Sequence, residues 1–380
     1  MPWVLAFALC LITCAVNLPA PLYPAYAQLS NAGAGATAVA FAGYVVGVLP
    51  VLLVLGGLAD RVGRKPLIAL ALLLAMAATG LLLLAPGLCS LGVARCLLGV
   101  GTALASATGI AYMGELMTVQ GRDPAQAATW VTASTSLGFG LGAAATSVFL
   151  LRGPTLAPAS FWLQLALAGL ALVALARLPD PAPRQERVAM VRLPYYPPGS
   201  LRYGLAILLA WATVGVVIAI LPSVLRAKGL EHWSGFSTFS VISCGLLFQP
   251  LAKRLSPARA VTLGLLVLPP SYGLIAWGAL HGQLPPMLLG TLAASSACYG
   301  FIYLGGLAAV TTEAGAEKPR ASAGFFLLAY VGFSVPVVFT GALADRYSPG
   351  SALALFGIAL TLGVLALLPG IRARRLASAT

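Results

Sequence analysis

The chain has 380 residues, of which 60% are hydrophobic and only 8% are charged. A soluble protein carries roughly a quarter charged residues, so this composition excludes an ordinary soluble domain and indicates an integral membrane protein. A net charge of +13 would suit nucleic acid or anionic lipid as partners. The positions of the basic residues, described below, explain the charge by membrane topology instead, and we expect no nucleic-acid binding.

Apolar runs of about 20 residues, the length a helix needs to cross a bilayer, recur along the whole chain. We predict an all-α integral membrane protein, and the twelve predicted spans are 3–26, 36–58, 66–86, 90–116, 124–150, 159–178, 203–225, 233–252, 259–280, 284–312, 321–344 and 350–371. Prolines lack a backbone N–H and are expected to interrupt several of these helices. The first span is predicted to break at Asn17, Pro19 and Pro21, and other breaks are predicted at Pro222, Pro250, Pro269 and Pro336.

The segment between the second and third spans, Gly56–Lys65, has the sequence GGLADRVGRK and carries four charges in six positions. Charged side chains are costly in hydrocarbon, so this segment is a short loop at a membrane face. Most other basic residues also map to this side of the membrane if the spans alternate. That distribution follows the positive-inside rule and predicts a protein of the cell (inner) membrane with both termini in the cytoplasm.

The only long polar segment, 179–202, contains prolines at 179, 181, 183, 194, 197 and 198. It is predicted to be an extended cytoplasmic linker between two six-span domains, 1–178 and 203–380. The domains share a weak repeat, since LADRVGRKP at 58–66 and LAKRLSPAR at 251–259 follow the second span of each. Two similar halves with a site between them are expected of a secondary transporter.

These motifs make the chain resemble the major facilitator superfamily over essentially its whole length. The Gly56–Lys65 loop, called the hinge from here on, matches the family's loop signature at every defined position. These positions are Gly56, Leu58, Ala59, Asp60, Arg61, Gly63, Arg64 and Lys65. The fourth span has an R-x-x-x-G-x-G pattern at Arg95, Gly99 and Gly101. The resemblance implies two six-helix bundles related by pseudo-twofold symmetry, no cofactor, no metal, and a monomer in the lipid bilayer.

The fifth span carries Gly138, Gly140 and Gly142, which resemble the glycine motif of drug–proton antiporters. That motif normally continues with proline, and this chain has Ala143. The glycines favour the twelve-span antiporter or sugar-efflux-like branch, whereas Ala143 weakens the export assignment and leaves the fold assignment unaffected. Close helix packing and a hinge function are equally good explanations of these glycines.

The hinge is predicted to act as a conformational latch formed by Gly56, Asp60, Arg61, Gly63, Arg64, Lys65 and Glu115. Asp60 would meet the positive N-terminal end of span eleven near Ala321, and one of the basic residues would reach Glu115. Plain topology is the alternative, in which the positive residues only fix orientation. Glu115 and Glu313 are either proton carriers or ion-pair partners of basic loops, with Glu313 pinned to Lys253, Arg254 or Arg259.

Arg95 is the one basic residue predicted within a span, where a charge costs about 2.5–3.5 kcal/mol. It either faces a central cavity or extends to the outer membrane interface. Polar and aromatic residues at mid-span are predicted to line a mainly apolar cavity, and they are Asn17, Tyr44, Thr108, Trp130, Ser134, Trp211, Phe239, Ser243, Ser296, Tyr299, Tyr303, Tyr330 and Phe333.

These features predict a secondary active transporter, with proton-coupled efflux of a small amphipathic organic molecule by alternating access as the first hypothesis. The alternative is a proton symporter or facilitator that imports a sugar or another organic metabolite. An integral-membrane enzyme is disfavoured, because no clustered carboxylates and no nucleophile paired with a base are visible.

Overall fold

The computed structural model describes residues 1–54, 57–180 and 193–377, without the side chains of residues 60, 107 and 372–377. Twelve helices in this part of the chain are long and apolar enough to cross a membrane. They are α1 (Pro2–Leu29), α2 (Ala34–Val54), α3 (Arg64–Leu84), α4 (Leu88–Val119), α5 (Pro124–Leu150), α6 (Ala159–Ala176), α7 (Leu201–Arg226), α8 (Glu231–Ala252), α9 (Pro257–Leu280), α10 (Leu284–Glu313), α11 (Gly315–Arg346) and α12 (Pro349–Ile371). The predicted all-α fold with twelve spans is confirmed.

The pattern of contacts between helices in the first half repeats six helices later in the second half. In the first half α1 packs on α5 and α4 packs on both α2 and α3; in the second half α7 packs on α11 and α10 packs on both α8 and α9. The main contacts between the halves follow the same rule, because α2 packs on α11 and α5 packs on α8. This arrangement is the pseudo-twofold symmetry expected from the sequence.

Twelve crossings place the start of α1 and the end of α12 at the same side of the bundle, which we call the termini face. The other side, where α2 begins and α11 ends, is the opposite face. A five-residue helix, Leu58–Val62, lies between α2 and α3 at the termini face. Gly63 follows it with φ of 101°, a left-handed conformation that favours glycine.

Several helices contain non-α segments. The α-helix of α1 ends at Asn17 and continues through a 3₁₀ turn, Ala20–Leu22, as predicted from its prolines. In contrast, Pro269 and Pro336 lie inside continuous helices, so the predicted breaks there are wrong. A proline in a membrane helix is tolerated where neighbouring groups satisfy the freed backbone.

Part of the connecting segment contacts the second half. Tyr195 N–H donates to the Arg320 carbonyl at 3.1 Å, and Arg320 Nε donates to the Leu193 carbonyl at 3.1 Å. These two bonds hold the end of the segment along the start of α11. Residues 181–192, and with them most of the predicted linker, lie outside the described residues.

Candidate functional site

Six aromatic side chains meet where the two halves face each other, and we call them the aromatic cluster: Phe41, Tyr44, Trp211, Tyr299, Tyr330 and Phe333. Two of them come from α2 and the other four from α7, α10 and α11. Ring centroids lie 4.8 Å apart for Phe41 and Phe333, and 5.3 Å apart for Trp211 and Tyr330. Both halves therefore contribute to one aromatic surface, with edge-on and tilted geometries that favour aromatic contacts.

The cluster also offers polar groups. Trp211, Tyr299 and Tyr330 are half-buried, so they border accessible space. Within the described residues the buried Trp211 Nε1 has no hydrogen-bond partner. The rings of Tyr44 and Tyr330, each carrying a hydroxyl, lie with their centroids 6.3 Å apart. A buried N–H without an acceptor is costly, so Trp211 is a good candidate for binding an acceptor atom of a ligand.

Two irregular helical segments position the second-half part of the cluster. A 3₁₀ segment of α8, Cys244–Phe248, packs against a π-helical segment of α10, Ser296–Ile302, which contains Tyr299. A Cβ at Gly245 would lie 2.5 Å from that of Tyr299. π-Helical turns are rare and frequent at functional sites. Neither segment was predicted from the sequence, in which the only signal was the glycines that let them approach.

Arg95 lies at the first-half edge of the cluster and is completely buried. Its Nη1 donates to the Val16 carbonyl at 2.9 Å, and its Nε donates to the Phe41 carbonyl at 3.2 Å. The guanidinium carbon lies 4.3 Å from the centre of the Phe41 ring and 4.9 Å from that of Tyr44. Arg95 therefore points into the protein, and the alternative in which it extends to the membrane interface is wrong.

The partners of Arg95 explain why a charge is tolerated there. Val16 lies in the last turn of the first helical segment, where the final carbonyls have no N–H partner within the helix and need another donor. Helix C-terminal ends carry partial negative charge, which favours a nearby cation. Arg95 thus connects the break in α1 to the aromatic cluster. Phe41 was not predicted, although it lies one helical turn before Tyr44.

Other predicted cavity residues form contacts between helices. Asn17 Nδ2 donates to the Phe139 carbonyl at 2.9 Å, and Ser243 Oγ donates to the Ser136 carbonyl at 2.7 Å. Phe239 packs against Gly140, so α5 and α8 meet closely at this depth. These residues surround the interface between the halves without joining the aromatic cluster.

The remaining predicted residues are placed differently. Trp130 packs edge-to-face on Trp3 with ring centroids 4.1 Å apart, near the start of α1 at the termini face and not at mid-span. Tyr303 is half-buried and packs against Phe326 at 6.1 Å. The hydroxyls of Ser134, Ser296 and Thr108 donate to carbonyls of their own helices, at Val131, Ala293 and Leu104.

The glycines of α5 face two different helices. A Cβ at Gly138 would fall on the Cys10 carbonyl oxygen, and one at Gly142 on the Cys14 carbonyl oxygen, both in α1. A Cβ at Gly140 would lie 2.8 Å from Phe239 Cα in α8. Each glycine is therefore required for close packing, and Gly140 sits at the contact between the halves.

The charges of the predicted latch form contacts at the termini face. Arg64 Nη1 and Glu115 Oε1 form an ion pair at 2.7 Å. Lys65 Nζ instead donates to the carbonyls of Ala176 and Leu178, at 2.6 and 2.7 Å, where it caps the C-terminal end of α6. Gly56 and the side chain of Asp60 lie outside the described residues, so their part of the latch remains a prediction. Lys253 and Arg254 are exposed after α8, and Glu313 ends α10.

The opposite face is held closed by polar contacts between the halves. Asp345 accepts hydrogen bonds from the N–H groups of Ala34 and Gly35, at 2.7 and 2.8 Å. Arg226 Nη2 donates to Gln28 Oε1 at 2.5 Å. None of these residues was a predicted site residue. Among the described residues, no group of three His, Cys, Asp or Glu side chains is arranged to bind a metal.

A membrane protein with two six-helix halves that meet around a common site has the architecture of a secondary transporter. The sequence profile described as Major Facilitator Superfamily matches residues 5–277, and the chain therefore belongs to that superfamily. A comparison with curated proteins found no match.

Similar solved structures support the same fold. The chain is similar to the nucleoside transporter NupG in its D323A mutant, with 12% identity, a TM-score of 0.80, and 97% of this chain and 99% of that chain covered. For a D-xylose-proton symporter the identity is 17%, the TM-score 0.69 and the coverage 96% of each chain. For the human organic anion transporter MFSD10 the identity is 17%, the TM-score 0.64, and the coverage 96% of this chain and 98% of that chain.

Proposed function

We propose that the protein is a secondary active transporter that moves a small amphipathic organic molecule by alternating access, bound at the aromatic cluster. The observation that carries this proposal is a surface of six aromatic rings, contributed by both halves, with a buried N–H at Trp211 that has no hydrogen-bond partner among the described residues. Aromatic faces bind apolar rings, and Trp and Tyr polar atoms give orientation. A neutral ligand with a ring and hydrogen-bond acceptors fits these groups best.

The location of the cluster supports alternating access. Phe41 and Tyr44 belong to the first half, whereas Trp211, Tyr330 and Phe333 belong to the second. Rocking of one half against the other would separate these rings and open the site to one side at a time. The contacts of Asp345 and Arg226 close the opposite face in this conformation. A ligand would therefore reach the cluster from the termini face.

The orientation is proposed from charge. Arg61, Arg64 and Lys65 lie at the termini face, as do Lys253 and Arg254. The positive-inside rule places this face in the cytoplasm, so the conformation described is open inward. A location in the inner membrane with cytoplasmic termini follows from the same reasoning.

Proton-coupled uptake is the direction that we favour. Similarity to a nucleoside transporter and to a D-xylose-proton symporter supports a hydroxylated ring compound as substrate and a proton as the coupling ion. Efflux of the drug–proton antiporter type is the second candidate, supported by the glycine run Gly138, Gly140 and Gly142 in α5.

The first experiment is a ligand screen by thermal unfolding of the purified protein in detergent, with uridine, adenosine, D-xylose and uncharged aromatic drugs. A ligand that binds the folded state raises the midpoint in a concentration-dependent way. The best ligand is then tested in proteoliposomes with the proton gradient imposed inward or outward. Accumulation driven by an inward gradient supports uptake, whereas accumulation driven only by an outward gradient supports efflux. Substrate movement at the same rate with either gradient or with none would contradict proton coupling.

A variant links transport to the cluster. Tyr330→Leu removes an aromatic face and a hydroxyl at the interface between the halves, and Arg152→Met serves as a control at an exposed position. We expect Tyr330→Leu to weaken binding at least tenfold, since each lost aromatic or hydrogen-bond contact is worth about 1 kcal/mol or more. Equal affinity in Tyr330→Leu and the parent protein would place the ligand elsewhere.

A further inference from the structure

A short sequence of the hinge occurs a second time in the chain. The pattern G-x-L-A-D-R stands at 56–61, directly after α2, and again at 341–346, at the end of α11. The two helices are the antiparallel neighbours that join the halves. One copy therefore lies at the termini face and the other at the opposite face.

The second copy has a defined partner. Asp345 accepts hydrogen bonds from Ala34 N–H and Gly35 N–H, the first two donors of α2, at 2.7 and 2.8 Å. A carboxylate at a helix N-terminus satisfies unpaired N–H groups and interacts favourably with the helix dipole. The same carboxylate lies in the last turn of α11, where its own helix dipole disfavours a negative charge. The hydrogen bonds to α2 therefore stabilise the negative charge of the Asp345 carboxylate.

Small residues make this contact possible. A Cβ at Gly33 would fall on the Asp345 carboxylate, and one at Gly35 would lie 2.8 Å from Asp345 Oδ2. A Cβ at Gly341, the first residue of the second copy, would lie 2.8 Å from the Ala34 carbonyl oxygen. Three glycines thus keep the start of α2 and the end of α11 close enough for two hydrogen bonds.

We propose that Asp345 is a positioning residue that latches the opposite face, and that it acts as the counterpart of Asp60 at the termini face. In this scheme the two copies of the motif oppose each other. The Asp345 latch stabilises the conformation closed at the opposite face, whereas the predicted Asp60 latch stabilises the one closed at the termini face. The balance between them sets the ratio of the two conformations before any substrate binds.

The inference rests on the proposed alternating access, but its test needs no substrate. Nitroxide labels at Leu151 and Lys228, exposed residues of the two halves at the opposite face, report the opening of that face by pulsed electron paramagnetic resonance distances in a cysteine-free background. Asp345→Asn removes the charge and one acceptor. We expect the ratio of open to closed molecules to rise on the order of tenfold, the effect of losing one hydrogen bond to a charged group.

Matched variants make the test specific. Gly35→Ala leaves Asp345 in place but crowds its carboxylate, and it is expected to raise the open fraction in the same direction. Asp123→Asn is the control, because Asp123 Oδ1 accepts from Ala125 N–H at 2.9 Å in a local cap within one half. This variant is expected to leave the distances unchanged. Asp60→Asn should lower the open fraction, and the double variant Asp60→Asn/Asp345→Asn should return it toward the parent value.

The proposal is overturned if Asp345→Asn and Gly35→Ala both give the parent distance distribution, or if Asp123→Asn shifts it as strongly. It is also overturned if the double variant is as open as Asp345→Asn alone, since the two latches would then not oppose each other. If the variants shift these distances as expected but the protein transports no substrate, the proposed function would be contradicted and the latch would still stand.

Discussion

The strongest structural prediction concerns Arg95, whose guanidinium is fully buried beside the break in α1. Its two shortest hydrogen bonds, to the carbonyls of Val16 and Phe41, are worth about 1.5–3 kcal/mol each. The contact over the Phe41 ring adds about 1–2 kcal/mol. Placing the charge in the membrane interior costs about 2.5–3.5 kcal/mol. Arg95→Met, which keeps the length and removes the charge, should therefore lower the free energy of unfolding by about 3 kcal/mol.

Equilibrium unfolding in mixed detergent micelles measures this change. Arg95→Lys retains the cost of burial but cannot reproduce the planar fork, so it should also destabilise, by about 2 kcal/mol. Arg152→Met is the matched control; this arginine is exposed and lies over the Phe149 ring at 5.7 Å. Its substitution should change stability by less than about 0.5 kcal/mol. If the Arg95→Met protein is as stable as the parent protein, or more stable, Arg95 does not stabilise the fold and the reasoning is refuted.

Two other predictions concern packing and binding. Gly142→Ala should destabilise by about 2 kcal/mol or more, because its Cβ falls on the Cys14 carbonyl oxygen, whereas Gly80→Ala in α3 meets no atom within 4 Å and should stabilise by up to about 1 kcal/mol. Thermal unfolding of both variants checks this pair, and equal effects would contradict the close approach of α5 and α1. Trp211→Phe keeps a six-membered aromatic ring but removes the pyrrole part of the indole with its N–H, so it should weaken ligand binding about tenfold. A loss of stability without a loss of affinity would show that Trp211 is only a packing residue.

The sequence was sufficient to predict the fold, because a membrane-spanning helix is recognised from the length and composition of its apolar run alone. All twelve spans lie within a few residues of their predicted positions. The break in α1 was also predictable, since Pro19 and Pro21 cannot donate to the helix ladder. Pro269 and Pro336 show the limit of the same rule: tertiary contacts of a continuous helix decide whether a proline interrupts it.

Pairing across the halves was not predictable from the sequence. Residue type and depth suggested Tyr44, Trp211, Tyr299, Tyr330 and Phe333, which do meet, but they also suggested Trp130, which packs on Trp3 near the termini face. Rotation of a helix about its axis decides such cases, and mean hydropathy carries little information about it. The weak amphipathicity of membrane helices hides which side faces a neighbour.

The π-helical segment Ser296–Ile302 has a consequence for how this family member can change. A π turn holds one residue more than an α turn, so rewinding the same residues as regular α-helix would pass that extra residue on to the following turns. Every side chain of α10 after that point would then rotate by about 100° relative to those before it, while the other helices stayed in place. Tyr299 and Tyr303 would be replaced on the inner surface by their neighbours. Conversion of this one turn from π to α geometry would in this way exchange a whole face of the ligand chamber without any change of sequence.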